Sequence, residues 1–127
     1  GLSNTGTVTS SMDDIPTDDT SYADFPTTFH GNVASCVEYI WAHNPAAQIF
    51  FLTPIQGATT RYIKTTPLAR EAFLEIGLFY SIPVIDVYAD CGIARKNIGT
   101  YTYDDIHPNA AGIAKIADFI ESFLLNR

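Results

Sequence analysis

The chain has few basic side chains, few cysteines and no long apolar run. Seven Lys and Arg residues stand against fourteen Asp and Glu residues, which gives a formal net charge of -7. A surface of this sign repels phosphate backbones and anionic lipid, so we do not expect a nucleic-acid partner. The longest apolar stretches, such as IFFL at 49–52, are far shorter than the ~20 residues that a helix needs to cross a bilayer. The sequence therefore predicts no transmembrane segment.

Disulfide frameworks and metal-binding motifs are absent as well. Cys36 and Cys91 are too few and too far apart for either, so we expect two small buried side chains. His30 and His43 are thirteen positions apart, too far for a metal pair on one helix, and are interpreted as helix-surface or capping residues. The acids near the N-terminus lack the glycine and the final glutamate of an EF-hand loop, which favours a solvated loop over a calcium site. These acids are Asp13, Asp14, Asp18, Asp19 and Asp24.

The length and composition are those of one folded domain. The chain has 127 residues, of which 46% are hydrophobic and 17% charged, values typical of a globular protein and not of a disordered one. It begins with Gly1 rather than Met, so we expect it to be part of a longer polypeptide. No secretion signal is recognisable, and the compartment is left open.

Hydrophobic periodicity predicts helices and strands in alternation. Between Thr28 and His43, apolar residues recur at helical spacing, with a Thr cap before them and Asn44-Pro45 after them. Two short runs that are apolar almost throughout indicate buried strands. Thr66-Pro67 supplies a cap and a first-turn proline for a second helix, and Asn109 caps a third. The predicted segments are a loop over 1–26, a helix over 28–43, a strand over 48–53, a helix from 66, a strand over 82–88 and a helix from 109.

This order is typical of an α/β fold with a parallel sheet, because strands that alternate with helices are joined by right-handed crossovers. Two strands make a thin sheet, however. Parallel strands buried on both faces need neighbours. We therefore expect partner strands from an N-terminal part of the same domain or from another chain.

The last loop carries the clearest chemical pattern. Asp104 and His107 precede the final helix, where sites form in parallel sheets. An Asp three residues before a His on a tight turn can bring its carboxylate to Nδ1, so that Nε2 accepts a proton from a nucleophile. Asp105 competes for this role, and the spacing favours Asp104. Taken by itself, the local pattern favours a simpler interpretation, in which the acids are attracted to a helix N-terminus and His107 is merely exposed.

Other candidates are weaker. Gln56 follows the first strand on the expected site side and is a candidate substrate contact, although a turn hydrogen bond explains it equally well. Tyr39 and Trp41 are interpreted as packing residues. A flavodoxin-like signalling domain is disfavoured, because Asp86 is predicted inside a strand and Lys64 in a loop, not at the strand ends that such a domain requires.

The segment YDDIHPNAAGIAKIADFIESFL at 103–124 resembles the final block of the SGNH, or GDSL-like, hydrolases: D-x-x-H-P, a polar link, a Gly and an amphipathic helix. TTFHGNVASCVEYI, AQIFFLTPIQ and SIPVIDVYADCGI are similar to upstream pieces of this family, so the resemblance covers about residues 25–127. It implies a three-layer α/β/α sandwich with a mostly parallel sheet. It also implies hydrolysis of esters, often on carbohydrates or lipids, with Asp104 and His107 as triad acid and base and no metal or organic cofactor.

The sequence departs from this family in its nucleophile and oxyanion blocks. GLSNTG at the start lacks the acidic residue and the preceding strand of the family's serine block, so Ser3 is a poor match for the nucleophile. We therefore interpret residues 1–127 as the C-terminal part of one hydrolase domain, with its serine upstream and little activity alone. The alternative is a non-catalytic α/β module that binds a ligand or has a structural role.

Overall fold

The fold is taken from a computed structural model that describes residues 10–127. Ser3 and the rest of the GLSNTG segment lie outside the described residues. The loop before the first helix contains two short 3₁₀ turns, Met12–Asp14 and Tyr22–Asp24. The remaining elements, in chain order, are α1 (Phe29–His43), β1 (Phe51–Leu52), α2 (Thr60–Tyr80), β2 (Val84–Ile85), α3 (Val87–Asp90), α4 (Ile98–Tyr101) and α5 (Ala110–Leu125).

The two strands pair in parallel, with Phe51 opposite Val84 and Leu52 opposite Ile85. The prediction of an α/β chain with parallel pairing is thus confirmed. Both strands are shorter than predicted. The second ends early because the Asp86 carboxylate accepts the Ala89 amide and starts α3, so residues 86–88 turn away from the strand. A side-chain acceptor that satisfies a backbone N–H in this way favours a helix start over an extended chain.

The first and last helices begin where the sequence predicts. Thr28 accepts the Gly31 amide at the start of α1, and Asn109 accepts the Gly112 amide at the start of α5. These caps satisfy backbone donors that have no partner inside the helix.

The prediction for the start of α2 was wrong by about six residues. The helix is capped by Thr59 and begins at Thr60, so Pro67 lies inside it. A proline in a helix removes one backbone hydrogen bond and crowds the preceding turn. Here the hydroxyls of Thr65 and Thr66 donate to the carbonyls of Arg61 and Tyr62, one turn back. These bonds link the two turns where the backbone ladder is weakened.

Apolar clusters cover both faces of the strand pair. The first joins α1 and α2 to β1 and consists of Ile15, Phe25, Ala34, Val37, Phe51, Ile76 and Ile82. The second consists of Ile85, Val87, Cys91, Ile93 and Ile98, against which Ile116, Phe119, Ile120 and Phe123 of α5 pack. Each fully buried Ile or Val contributes about 1.5–3 kcal/mol to this core.

Two predictions about burial were wrong. Cys91 is buried as expected, but Cys36 is exposed, because it borders the open cavity between α1 and β1. His30 was expected on a helix surface and is only 4% exposed. Its backbone N–H donates to the Ser10 hydroxyl and its Nδ1 contacts the same oxygen, so the segment before α1 covers it. His43 is exposed as expected.

None of the helices within residues 10–127 combines the length and the apolar content that crossing a bilayer requires.

Gly112 allows the first turn of α5 to pack against α4. A Cβ atom at this position would lie 2.1 Å from the Tyr101 carbonyl oxygen, whereas one at Gly99 would meet nothing within 4 Å. We expect Gly112→Ala to lower the free energy of unfolding by about 1–3 kcal/mol, the usual cost of overpacking. Gly99→Ala should leave it unchanged or raise it by up to about 1 kcal/mol, because alanine loses less conformational entropy in a helix. Urea denaturation of both variants checks this, and an equal effect of the two would contradict the packing argument.

Candidate active site

The turn between α4 and α5 is closed by backbone hydrogen bonds. Thr102 and Pro108 form an isolated antiparallel bridge, and the Tyr103 amide donates to the His107 carbonyl over 3.0 Å. The Asn109 amide donates to the Tyr101 carbonyl, which fixes the point where α5 leaves the turn. A closed turn of this kind places side chains three residues apart on the same side.

Asp104 and His107 are in direct contact across this turn. Asp104 Oδ2 lies 2.6 Å from Nδ1 of His107, and Oδ1 accepts the backbone amides of His107 (2.7 Å) and Ile106 (3.1 Å). The carboxylate is therefore oriented by two backbone donors before it meets the imidazole. With Nδ1 engaged, Nε2 is the nitrogen that remains to exchange a proton with another group.

The electrostatics of the pair favour an ionised carboxylate. The His107 amide, the His107 side chain and the Ile106 amide lower the pKa of Asp104 below its ordinary value, against a small opposing effect of burial. Asp104 is thus an anion at neutral pH, able to stabilise an imidazolium. The two side chains are 49% and 73% exposed, so the imidazole is accessible.

Asp105 has a different place in the same turn. Its backbone is left-handed, with φ +67°, and its carbonyl accepts the Ala58 amide over 2.8 Å. The carboxylate against the imidazole is that of Asp104. The contact through Ala58 joins the turn to the loop after β1, at the carboxyl end of that strand, where sites form in parallel sheets.

Gln56 lies in this loop, and both ends of its side-chain amide contact backbone groups. Nε2 donates to the Tyr88 carbonyl and Oε1 accepts the Arg95 amide, each over 3.3 Å. These bonds join Gln56 to α3 and to the loop before α4, 32 and 39 positions along the chain, and are not the local turn hydrogen bond expected as the alternative. Its contact with substrate stays a prediction.

An ion pair at the ends of both strands was missed by the sequence reasoning. Arg70 of α2 donates to both carboxylate oxygens of Asp86, the shortest contact being 2.8 Å, and Thr53 donates to the same carboxylate over 2.9 Å. Thr53 directly follows β1 and Asp86 directly follows β2. Polar residues that end neighbouring parallel strands meet at one edge of a sheet, and this signal could have revealed the contact between Thr53 and Asp86. Arg70 could not be found this way, since its approach depends on how α2 packs.

Burial opposes ionisation of Asp86, but hydrogen bonds from Arg70, Thr53 and the Ala89 amide outweigh it and lower the pKa of Asp86. We expect Asp86→Asn to lower the free energy of unfolding at pH 7 by about 1–3 kcal/mol. This range lies between the usual cost of removing an exposed ion pair and that of breaking a buried one. Since the pKa is lowered on folding, this stabilisation is present above the unfolded value of about 3.9 and is lost as the pH falls through the folded value. Denaturation at pH 7 and pH 3 should show a smaller gap in stability between wild type and variant at pH 3 than at pH 7. Asp118→Asn, on the exposed side of α5, should show no gap at either pH.

The remaining candidates take structural positions. Nε2 of buried His30 has no hydrogen bond within residues 10–127, and Glu75 lies 3.6 Å from it. Trp41 donates to the Ala47 carbonyl, and Tyr39 packs on the His43 ring. No three His, Cys, Asp or Glu side chains of the described segment are grouped so that they could hold a metal ion.

Three solved structures resemble this chain. A crystal structure of a Lactobacillus plantarum protein superposes with a TM-score of 0.70 at 22% identity, over 79% of this chain and 54% of that one. A second crystal structure superposes with a TM-score of 0.66 at 29% identity, over 78% of this chain and 52% of that one. The third is the esterase domain of the ORF1 protein of the zebrafish ZfL2-1 retrotransposon. It superposes with a TM-score of 0.59 at 20% identity, over 73% of this chain and 58% of that one.

These likenesses show an α/β fold, and one of the structural neighbours is an esterase domain. The chain spans little more than half the length of each of the three. No family model matches the sequence, and no curated protein does.

Proposed function

We propose that the chain is the C-terminal part of an SGNH or GDSL-like serine ester hydrolase domain, in which His107 is the general base and Asp104 orients it. The observation that carries the proposal is the 2.6 Å contact between the Asp104 carboxylate and Nδ1 of His107. The esterase name of one structural neighbour supports the same reaction class. The D-x-x-H-P block of the sequence supports the family.

In the proposed reaction, a serine upstream of this chain attacks an ester carbonyl while Nε2 of His107 takes its proton. Asp104 stabilises the resulting imidazolium, which then protonates the leaving alcohol. Water, activated by the same histidine, hydrolyses the acyl-enzyme. A general base alone accelerates a reaction by about 10²–10⁴-fold. Each missing oxyanion donor raises the activation free energy by about 3–4 kcal/mol. This chain by itself should therefore be close to inactive.

The open edge of β1 supports a missing part of the same sheet. The amides of Phe51 and Thr53 donate to the carbonyls of Pro83 and Ile85, so the N–H and C=O of Leu52 between them point away from β2. Leu52 is 45% exposed, and a cavity of about 400 Å³ between α1 and β1 is lined largely by apolar side chains. We propose that upstream strands of the domain pair here, or strands of a partner chain, and complete a three-layer α/β/α sandwich with a mostly parallel sheet.

The proposed substrate is an ester, with an acylated carbohydrate or lipid as the class implied by the family resemblance. Gln56 is proposed to border the substrate site. The mechanism proposed here requires no metal or organic cofactor.

The experiment is an esterase assay of the longer polypeptide with 4-nitrophenyl acetate, with and without substitutions at Asp104 and His107. Hydrolysis that depends on both residues supports the proposal. A folded polypeptide without hydrolysis, or with hydrolysis indifferent to both substitutions, would favour the non-catalytic module instead.

A further inference from the structure

The backbone of Asp105 is fixed from two sides. Its N–H donates to the Thr102 hydroxyl over 3.1 Å, and its carbonyl accepts the Ala58 amide over 2.8 Å. At φ +67° it occupies a left-handed conformation that costs a non-glycine residue free energy, although Asp tolerates it better than most. Asp105 lies between Asp104 and His107 in the chain. Its backbone conformation therefore sets the direction in which the Asp104 carboxylate approaches the imidazole.

The loop that supplies the Ala58 amide is itself anchored at three points, all through Gln56. The Gln56 carbonyl accepts the Thr66 hydroxyl of α2 over 2.9 Å. Its side-chain amide donates to the Tyr88 carbonyl and accepts the Arg95 amide. Gln56 thus has hydrogen bonds to α2, to α3 and to the loop before α4. Because Gln56 is two residues from Ala58, these bonds hold the Ala58 amide in place.

Gly57, between these two residues, is also left-handed, with φ +49°. A Cβ atom there would lie 2.9 Å from Cβ of Tyr62. The left-handed backbone favours glycine, and the close approach to α2 leaves no room for a side chain. Any other residue should move the Ala58 amide away from Asp105.

We propose that Gln56, Gly57 and Ala58 form a positioning segment that keeps Asp105 left-handed and thereby fixes the geometry between Asp104 and His107. Gln56 and Gly57 are positioning residues, because they act on the imidazole through the Asp105 backbone. The inference deepens the proposed function and assigns a role to the loop after β1.

The test uses two variants and two matched controls in this chain. Gly57→Ala strains the segment, and Gln56→Met removes both side-chain hydrogen bonds at similar volume. Gly99→Ala changes a glycine with open space around it, and Gln48→Met changes the other glutamine, which is exposed before β1. Two variants are used because Gly57→Ala could also lower overall stability.

The readouts are carboxyl titration of Asp104 and amide exchange of Ile106 and His107, followed by NMR. Both amides donate to Asp104, so loosening should speed their exchange by about tenfold or more, equivalent to 1.4 kcal/mol of local opening. The pKa of Asp104 should rise toward its ordinary value. Amides in the centres of α1 and α5 should not change, which separates local loosening from global unfolding.

If Gln56→Met and Gly57→Ala leave the titration of Asp104 and both exchange rates as in wild type, the proposal is overturned. These readouts do not depend on catalysis, so their result is independent of the result of the esterase assay. In a longer polypeptide with esterase activity, we expect Gly57→Ala to lower kcat with little change in KM, since it alters the base and not substrate binding. For Gln56→Met, a rise in KM beside the loss of kcat would report the substrate contact proposed for Gln56.

Discussion

Replacing His107 by Ala in the longer polypeptide should lower kcat/KM for ester hydrolysis by at least about 10³-fold, because the serine then has no base. Asp104→Asn should lower it by about 10³–10⁴-fold. The amide can still accept the backbone hydrogen bonds through its oxygen, but it presents the wrong partner to Nδ1 and carries no charge to stabilise the imidazolium. Initial rates with 4-nitrophenyl acetate measure both effects.

The structure also supplies the controls for this experiment. His43→Ala removes an exposed histidine on α1 and should leave the rate unchanged. His107 is itself 73% exposed, so its loss should change the free energy of unfolding by no more than about 0.5 kcal/mol. A rate loss in a fully folded variant therefore reports chemistry. If His107→Ala retained more than a tenth of the wild-type rate, the general-base role would be excluded.

The contact between Asp104 and His107 could be predicted from the sequence because it is local. Three residues and a closed turn are enough to bring the two side chains together, and Pro108 keeps His107 out of helical geometry. For the same reason, the caps of α1 and α5 were predictable from Thr28 and Asn109. Each cap depends on a side chain and an amide three residues apart.

The errors occur where tertiary contacts override local preference. Thr66-Pro67 is a good local helix start, but the cap of α2 is Thr59, about two turns earlier. Threonine hydroxyls donate to carbonyls one turn back beside the internal proline. Asp86 lies in an apolar run that favours a strand, yet its carboxylate caps α3 and binds Arg70. No spacing in the sequence reveals such a contact between separate elements.

The same limit applies to the surroundings of the candidate site. The bond between Ala58 and Asp105 joins residues 47 positions apart through backbone atoms, which carry no sequence signal. The glycine between Gln56 and Ala58 marks a turn, but what the turn touches depends on packing. His30 was misplaced for a related reason. Its burial comes from Ser10, which lies in a different segment of the chain.

A fluorophosphonate probe should leave the intact mass of this chain unchanged and add one adduct to the longer polypeptide, on a serine upstream of Gly1. The probe reacts with serines that a base activates, and the proposed base is the exposed imidazole of His107. His107→Ala in the longer polypeptide should abolish the adduct, whereas His43→Ala should retain it.

An adduct on this chain would be equally informative, because peptide mapping can assign it. Modification of Ser3 would place the nucleophile at the start of the chain, so the proposal of an upstream serine would be wrong. Modification of Ser10 would point to the imidazole of His30, which contacts that hydroxyl. Ser10 is only 8% exposed and also accepts the His30 amide, so its oxygen is engaged and shielded from the probe. The geometry therefore favours an unlabelled chain, which is the result expected if the nucleophile of the proposed triad comes from upstream.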